Sequence, residues 1–252
     1  MSKDNYISLS NKEIRGYARE RLLGNMAVPA LATILFAFSK YIFQFCQELG
    51  IIGASFPAFI FYTVLSVAVS TAWGIFKYGL HRFYISFVTK KETNIANLFA
   101  GFRESTETIL AASLVLSIIS VICYAPFYIY GFFFAQMNIT GICISVGLYL
   151  LCGLLNNLIS IILFPIYFII CDHPGVSFTT AFIISFTMMS FKKWFKFLRL
   201  QISFIPLLIL SYMSFGIGFL WVLPYVYTSY TYFYEDLCED YCNKTVANNE
   251  SD

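Results

Sequence analysis

An unbroken run without a charged residue, from Thr108 to Cys171, constrains this chain more than any other feature. At about 1.5 Å per residue, a continuous helix of that length would measure about 95 Å, roughly three times the ~30 Å hydrocarbon core of a bilayer. The run must therefore contain at least two membrane crossings. The polar stretch 136–141 is the predicted division between them.

The rest of the sequence agrees with a membrane setting. The chain is 59% hydrophobic and 12% charged, whereas soluble domains average roughly 45–50% and 25%. Further apolar segments at 25–46 and 54–76 are each long enough to cross a bilayer. We predict an all-α fold, a polytopic transmembrane helical bundle of about six membrane segments. Connector helices on the cytoplasmic side, including one at 95–102 and one at 178–191, complete the prediction.

The last apolar segment, 200–234, is too long for one crossing. The sequence Ser214-Phe-Gly-Ile-Gly218 interrupts it with two glycines. Two short spans or a re-entrant hairpin both fit this segment.

An amphipathic helix is predicted at the N-terminus. Ser10 and Glu13 form an S-x-x-E capping box, and Gly24 is placed to end the helix. Ile14, Ala18 and Leu22 recur every fourth residue, with arginines on the remaining surface. This pattern fits a helix in the plane of the lipid headgroups, and equally a helix that docks on its own protein.

The positions of the basic residues predict the orientation. Fifteen of the 16 Lys and Arg residues fall in the N-terminal segment, in two alternate loops or in the C-terminal tail. Since basic loops stay cytoplasmic, both termini should be cytoplasmic and the protein should be a multi-pass protein of a bacterial plasma membrane. The predicted organisation is a cytoplasmic amphipathic helix at 1–24, a transmembrane domain at 25–237 and a cytoplasmic polar tail at 238–252.

Several motifs resemble one bacterial membrane family, catalogued as domain of unknown function 975. In the C-terminal third they are Ile202-Ser-Phe-Ile, Phe215-Gly-Ile-Gly-Phe-Leu-Trp-Val-Leu-Pro-Tyr225 and Phe233-Tyr-Glu-Asp-Leu237. Earlier landmarks at 13–25, 97–102 and 172–174 resemble the same family, so the resemblance covers nearly the whole chain. It implies several membrane helices and a prokaryotic setting, and it supplies no activity.

Two asparagines, Asn156 and Asn157, lie in the middle of the fourth predicted span. An unpaired amide costs several kcal/mol in lipid, so both side chains should find partners inside the bundle. They could form a polar intramembrane site on a solute path. Alternatively they are hydrogen-bonding glue between helices beside Gly153, which is the more frequent use of such residues.

Proline and glycine suggest a second kind of site. Candidate hinge residues of a transporter with broken helices are Pro126, Pro165, Gly216, Gly218 and Pro224. Structural kinks with tyrosine anchoring explain the same residues, because proline is common in membrane helices.

No catalytic residue set, cofactor site or metal site is predicted. His81 and the run Cys171-Asp172-His173 lack the spacing of a metal motif. No Asp or Glu lies within a predicted span, which disfavours proton-coupled pumping. An intramembrane enzyme would need a nucleophile with its base, or a metal cluster, at membrane depth.

The sequence therefore favours a non-catalytic integral membrane protein, with an accessory, binding or scaffolding role in the bacterial cell envelope. The expected partners are membrane lipids at the basic face, together with a membrane-protein partner or a second copy in a homo-oligomer, and no nucleic acid. The alternative is a small permease or exporter for an amphipathic or peptidic solute. An enzyme ranks last.

Overall fold

The computed structural model describes residues 8–48, 56–89, 94–134 and 138–249, which form helices and short turns with no β-strand among them. The α-helices described are α1 Asn11–Leu22, α2 Ala27–Glu48, α3 Phe56–Val88, α4 Thr106–Phe133, α5 Ile139–Ile162, α6 Ile166–Asp172, α7 Phe178–Met188, α8 Phe191–Met213 and α9 Phe219–Asn249. A 3-10 helix at Ile95–Phe102 lies between α3 and α4. The predicted all-α fold is confirmed.

Helix α1 begins at the predicted capping box. The Glu13 backbone N–H donates to the Ser10 hydroxyl oxygen, and the Ser10 N–H donates to the Glu13 carboxylate at 2.6 Å. Its apolar residues Ile14, Ala18 and Leu22 are 0%, 0% and 5% exposed, because α1 packs against α9 and α8. Of the two alternatives, the helix docks on its own protein.

Helix α2 follows α1 after a bend of 104°. Gly24, which the sequence predicts as the end of the first helix, lies in this bend at φ +80°. The left-handed conformation favours glycine because it has no Cβ. The predicted first span, 25–46, corresponds to α2.

Helix α3 extends well beyond the predicted second span. The sequence analysis ends that span at Phe76 and assigns Lys77 onward to a connector, but α3 continues to Val88. The helix tolerates Arg82 because its guanidinium donates to the Cys171 carbonyl at 2.7 Å and pairs with Glu104 at 3.5 Å. The predicted connector helix at 95–102 is present as a 3-10 helix.

The uncharged run is divided as predicted. Helix α4 ends at Phe133 and α5 begins at Ile139, with Asn138 as its N-cap. Helices α5 and α6 join at Pro165 into one continuous apolar segment, Ile139–Asp172. The predicted helix at 178–191 is α7, which ends at Met188.

The last apolar segment is a helical hairpin. Helices α8 and α9 meet at a turn in which Phe215 and Gly216 have φ of +54° and +85°. A Cβ on Gly218 would lie 2.7 Å from the Ser211 Cα, so glycine is required for the close approach of the two arms. Both arms are longer than the two short spans predicted, since α8 starts in the basic segment and α9 runs on to Asn249.

Four described segments are long and apolar enough to cross a membrane: Phe59–Val88, Thr106–Phe133, Ile139–Asp172 and Phe191–Met213. The bent pair of α1 and α2 would count as a fifth. Helix α9 is not among them, because its many Tyr, Thr and Ser residues lower its mean hydropathy. The protein is therefore a polytopic helical membrane protein with four to five candidate spans, against about six predicted.

The buried core lies at one end of the bundle. At this end, which we call the charged end, α3, α6 and α9 finish and α4 and α8 begin, with Arg82, Glu104, Lys193 and Asp236 nearby. Fully buried side chains there include Ile14, Tyr78, Ile109, Phe197, Phe233 and Leu237. Elsewhere, Ile142, Val146, Leu150 and Leu154 of α5 are each more than half exposed. Such an apolar face is suited to lipid.

Candidate functional site

A half-open cavity of about 520 Å³ lies between α3, α4 and α5, and α8 and α9 form part of its wall. We call it the polar cavity. Its polar lining is Ser66, Ser70, Lys77, His81, Ser113, Ser117, Ser120, Tyr124, Tyr128, Asn156, Asn157, Ser160, Tyr167, Gln201 and Tyr230. Aliphatic and aromatic side chains supply the remainder, so the cavity offers both polar and apolar contacts.

Helix α3 contributes a stripe of polar residues. Ser66, Ser70, Lys77 and His81 recur at intervals of four or seven, which places them on one helical face. At about 1.5 Å per residue, Ser66 and His81 are about 22 Å apart along the helix. This length is a large part of the ~30 Å thickness of a hydrocarbon core.

Glycine allows α3 and α4 to meet at the wall of the polar cavity. A Cβ on Gly74 would lie 1.6 Å from the Ser113 hydroxyl oxygen. Ser113 also lies 3.0 Å from the Tyr167 hydroxyl. Since the Ser113 proton is donated to the Ile109 carbonyl, the Tyr167 hydroxyl is the donor of this bond.

The serine hydroxyls of α4 donate hydrogen bonds to backbone carbonyls of the same helix. Ser117 donates to the Ser113 carbonyl at 2.8 Å, and Ser120 donates to the Leu116 carbonyl at 3.0 Å. A hydroxyl has one proton and two lone pairs, so these oxygens can still accept hydrogen bonds. This wall of the polar cavity therefore supplies acceptors.

His81 marks the end of the polar cavity nearest the charged end. Its Nδ1 lies 2.6 Å from the Lys77 carbonyl oxygen, which can only accept, so Nδ1 carries the proton. The imidazole ring stacks on Tyr167 with centroids 5.6 Å apart and meets the edge of Phe168 at 4.4 Å. The ring is thereby fixed in place, and Nε2 is its remaining polar atom.

Both asparagines predicted from the sequence line the polar cavity. The Oδ1 atom of Asn156 is buried and has no hydrogen-bond donor within reach, whereas Asn157 is more exposed. Gly153, one turn away, has the Tyr124 hydroxyl beside it at the same wall.

The candidate hinge residues are spread over four places. Pro126 is exposed within α4, Pro165 is buried at the junction of α5 and α6, and Pro224 is buried within α9. Gly216 and Gly218 form the turn of the α8 and α9 hairpin. The five residues therefore do not form one site.

The sequence analysis missed Lys77, His81 and the α4 serines as cavity residues. A signal for them exists: small polar residues recur on one face of α4 at Ser113, Ser117 and Ser120. A matching stripe occurs on α3. Two polar stripes in neighbouring apolar helices indicate a shared polar interior.

A cluster of charges holds α1 against the charged end. Asp236, 1% exposed, accepts hydrogen bonds from the Leu9 N–H at 2.7 Å, the Ser8 hydroxyl at 3.1 Å and the Lys196 ammonium at 2.6 Å. Lys193 pairs with Asp240 at 2.7 Å, and Lys244 does so at 2.6 Å. Burial would raise the pKa of Asp240, but these two ammonium groups lower it below its ordinary value.

The other titratable residues of this end do not converge on one point. Asp172 accepts from the Tyr234 hydroxyl at 2.7 Å, and the buried Cys171 thiol points to the Tyr78 carbonyl. Across the described residues, no group of three or more His, Cys, Asp and Glu side chains could hold a metal ion.

A second groove, of about 830 Å³, lies between α2 and the tip of the α8 and α9 hairpin. Its lining is almost entirely apolar and includes Ile34, Met213, Phe215, Phe219 and Leu223. Such a surface is suited to lipid acyl chains.

These features belong to a polytopic helical membrane protein with a polar interior. The family model described as "Protein of unknown function (DUF975)" matches residues 8–240, and the chain is a member of that family. No curated protein and no solved structure matches the chain.

Proposed function

We propose that the protein is a non-catalytic component of the bacterial cell envelope that binds an amphipathic solute in the polar cavity. One observation carries the proposal: a cavity of about 520 Å³ that is lined by polar residues from three apolar helices. Polar groups exposed to hydrocarbon cost several kcal/mol each. Bound solute or water can satisfy them, and ligand sites are usually apolar pockets with a few placed polar groups.

The proposed setting follows from charge. By the positive-inside rule, the charged end and both termini lie on the cytoplasmic side of a bacterial plasma membrane. Exposed basic residues of this end, such as Lys12, Arg19 and Lys192, would contact anionic lipid headgroups. An accessory or scaffolding role at this face predicts co-purification with lipid, with a membrane-protein partner or with a second copy.

The test is to identify what the purified protein carries. The full chain is extracted in mild detergent, and its bound small molecules are released and identified by mass spectrometry. Ser117→Phe fills the polar cavity, while Leu150→Phe adds bulk on the exposed face of α5 as a matched control.

We expect one class of amphipathic compound to be enriched with the wild type and the control, and about tenfold less with Ser117→Phe. Asn157→Leu serves as a second cavity variant if Ser117→Phe is not monodisperse. Identical compounds in equal amounts from all the variants would overturn the proposal.

A permease or exporter is a second candidate function. The length of the polar cavity, about 22 Å along α3, favours it, because a solute path must cross most of the bilayer. Flux of the identified compound into proteoliposomes, abolished by Asn156→Leu, would support transport. Binding without flux would leave the protein as a binding component.

A further inference from the structure

We infer that one exposed face of α8 binds an anionic phospholipid. The phosphate lies between Lys192 and Arg199, and an acyl chain follows the apolar residues beyond them. We call this face the α8 stripe, and its members are Lys192, Phe195, Arg199, Ile202, Ile209 and Met213. The inference gives the lipid contact of the proposed function a particular place and does not depend on the solute of the polar cavity.

The spacing of the α8 stripe places its members on one side of the helix. Successive members are three, four or seven positions apart, and 3.6 residues make one turn. All of them are exposed, and the apolar members range from 42% at Phe195 to 72% at Met213. The other side of α8, with Phe197, Leu200 and Phe204, is buried in the core. The α8 stripe therefore faces outward from the bundle.

The four basic residues of α8 divide between these two sides. Lys193 and Lys196 form ion pairs of 2.7 Å and 2.6 Å with aspartates of α9. Lys192 and Arg199 are instead exposed on the α8 stripe. Two cations of the helix thus stabilise the fold, while the other two present positive charge to the surroundings. This charge complements an anionic headgroup.

The direction of helical side chains favours one phosphate between the two exposed cations. Lys192 and Arg199 start about 10 Å apart along α8. Side chains tilt toward the N-terminus of a helix, so Arg199 is expected to extend back toward Lys192. A guanidinium gives a phosphate two parallel hydrogen bonds, and an ammonium adds a compact charge. A phosphodiester at the level of Phe195 would contact both.

Aromatic residues indicate that this level is that of the headgroups. The Trp194 ring meets the Phe195 ring edge to face, with centroids 4.8 Å apart, and stacks with Phe191 at 6.4 Å. Its indole N–H donates to the Leu158 carbonyl at 3.1 Å, which fixes the ring. Tryptophan is enriched where the hydrocarbon core meets the headgroups. The start of α8 therefore has the composition of an interface.

Beyond Arg199 the α8 stripe is apolar. Ile202, Ile209 and Met213 are 53%, 57% and 72% exposed. The distance from Arg199 to Met213 along the helix is about 21 Å, more than the ~15 Å that one leaflet contributes to the hydrocarbon core. An acyl chain can therefore follow the stripe through its whole leaflet. A phospholipid has an anionic and an apolar part in this order, whereas a free phosphate ester has only the first.

The experiment measures which lipid contacts Trp194. The full chain carries Trp73→Phe and Trp221→Phe, so Trp194 is its single tryptophan. It is reconstituted in phosphatidylcholine vesicles in which an increasing share of the lipid is brominated phosphatidylglycerol or brominated phosphatidylcholine. Bromine on the acyl chains quenches tryptophan fluorescence on contact. The ratio of the two quenching constants is the preference for the anionic lipid.

We expect about a fivefold preference for phosphatidylglycerol, as for one or two cations near a lipid surface. Lys192→Gln and Arg199→Gln should each lower the ratio, and the double variant should bring it close to one. Arg199→Lys should retain most of the preference. Arg103→Gln removes an exposed arginine next to the 3-10 helix and should leave the ratio unchanged. The thermal midpoint of each variant shows that it is folded.

Two results would overturn the inference. One is equal quenching by the two brominated lipids, and the other is a preference that the double variant retains. Loss of the preference in excess glycerol phosphate would also count against it, because the ligand would then be a free phosphate ester. All the substituted cations lie outside the polar cavity, so solute binding in the polar cavity would still stand.

A second measurement covers the case in which the single-tryptophan chain is not monodisperse. Native mass spectrometry then counts the phosphatidylglycerol molecules bound to chains that retain all three tryptophans. We expect fewer bound lipids when Lys192→Gln and Arg199→Gln are combined than with Arg103→Gln. Equal counts would overturn the inference.

Discussion

The carboxylate of Asp236 and the Oδ1 atom of Asn156 are both buried, but their surroundings differ. At the charged end, Asp236 accepts bonds from Leu9, Ser8 and Lys196. In the polar cavity, the Asn156 Oδ1 has no donor within reach. A buried acceptor without a partner costs about 1–3 kcal/mol. The contacts of Asp236 thus stabilise the charged end, while the Asn156 Oδ1 in the polar cavity is an acceptor that stability alone would not favour.

The largest loss of stability is expected when the charge cluster at the charged end is disrupted. Asp236→Ala removes the partner of a largely buried ammonium and of a backbone N–H, and should cost about 3 kcal/mol of unfolding free energy. The thermal midpoint in detergent measures it. Glu239→Ala, an exposed carboxylate on the same helix, is the matched control and should change little. Equal midpoints for the two variants would show that the cluster is not stabilising.

The next effect tests the packing of α3 at the same end. A Cβ on Gly79 would lie 1.9 Å from the Leu98 carbonyl oxygen, so α3 and the 3-10 helix must separate in Gly79→Ala. We expect a loss of about 1–3 kcal/mol. Gly147→Ala, where nothing lies within 4 Å, should cost nothing in the same thermal measurement. A tolerated Gly79→Ala would contradict this tight contact.

A smaller effect depends on pH. Burial, together with Glu239 and Asp172, raises the pKa of Glu235 from 4.5 to about 7. Between these values the folded protein binds more protons than the unfolded chain, so stability should fall as pH rises through this window and then level off. Because the side chain is partly exposed, we expect about 1 kcal/mol.

Glu235→Gln should remove this part of the pH dependence, measured as the change of thermal midpoint across the window. Glu20→Gln, an exposed residue of α1, should retain it. A pH profile identical in wild type and Glu235→Gln would contradict the assignment to Glu235.

The smallest change in stability is expected at Asn156, whose Oδ1 has no hydrogen-bond donor. Asn156→Leu removes an acceptor that has no donor, so the thermal midpoint should stay the same or rise, by at most about 1 kcal/mol in stability. Asn138→Ala should instead lose about 1 kcal/mol, because Asn138 caps α5 through the Gly141 N–H. A large loss with Asn156→Leu would favour its role as interhelical glue.

Local signals in the sequence predicted local structure well. The pair Ser10 and Glu13 gave the start of α1, and the glycines at 216 and 218 marked the hairpin turn. The end of α3 was predicted too early, because Lys77 and Arg82 look like the end of a membrane span. The tolerance of Arg82 depends on Cys171 and Glu104, which are distant in sequence.

The site was only partly predictable for the same reason. Asn156 and Asn157 are conspicuous in an apolar span, and both line the polar cavity. Serines are common in membrane helices and draw no attention singly. The serines line a cavity only because α3 and α4 lie side by side. Gly74 permits this close approach, but tertiary packing determines it.

The bonds between Ser8, Leu9 and Asp236 join positions 227 and 228 residues apart. Because a ribosome makes the N-terminus first, α1 emerges long before the helix that covers Ile14, Ala18 and Leu22. Until α9 has been synthesised, this apolar stripe lacks the helix that covers it in the folded protein. A nascent chain that stops before Phe219 would therefore carry an uncovered N-terminal helix.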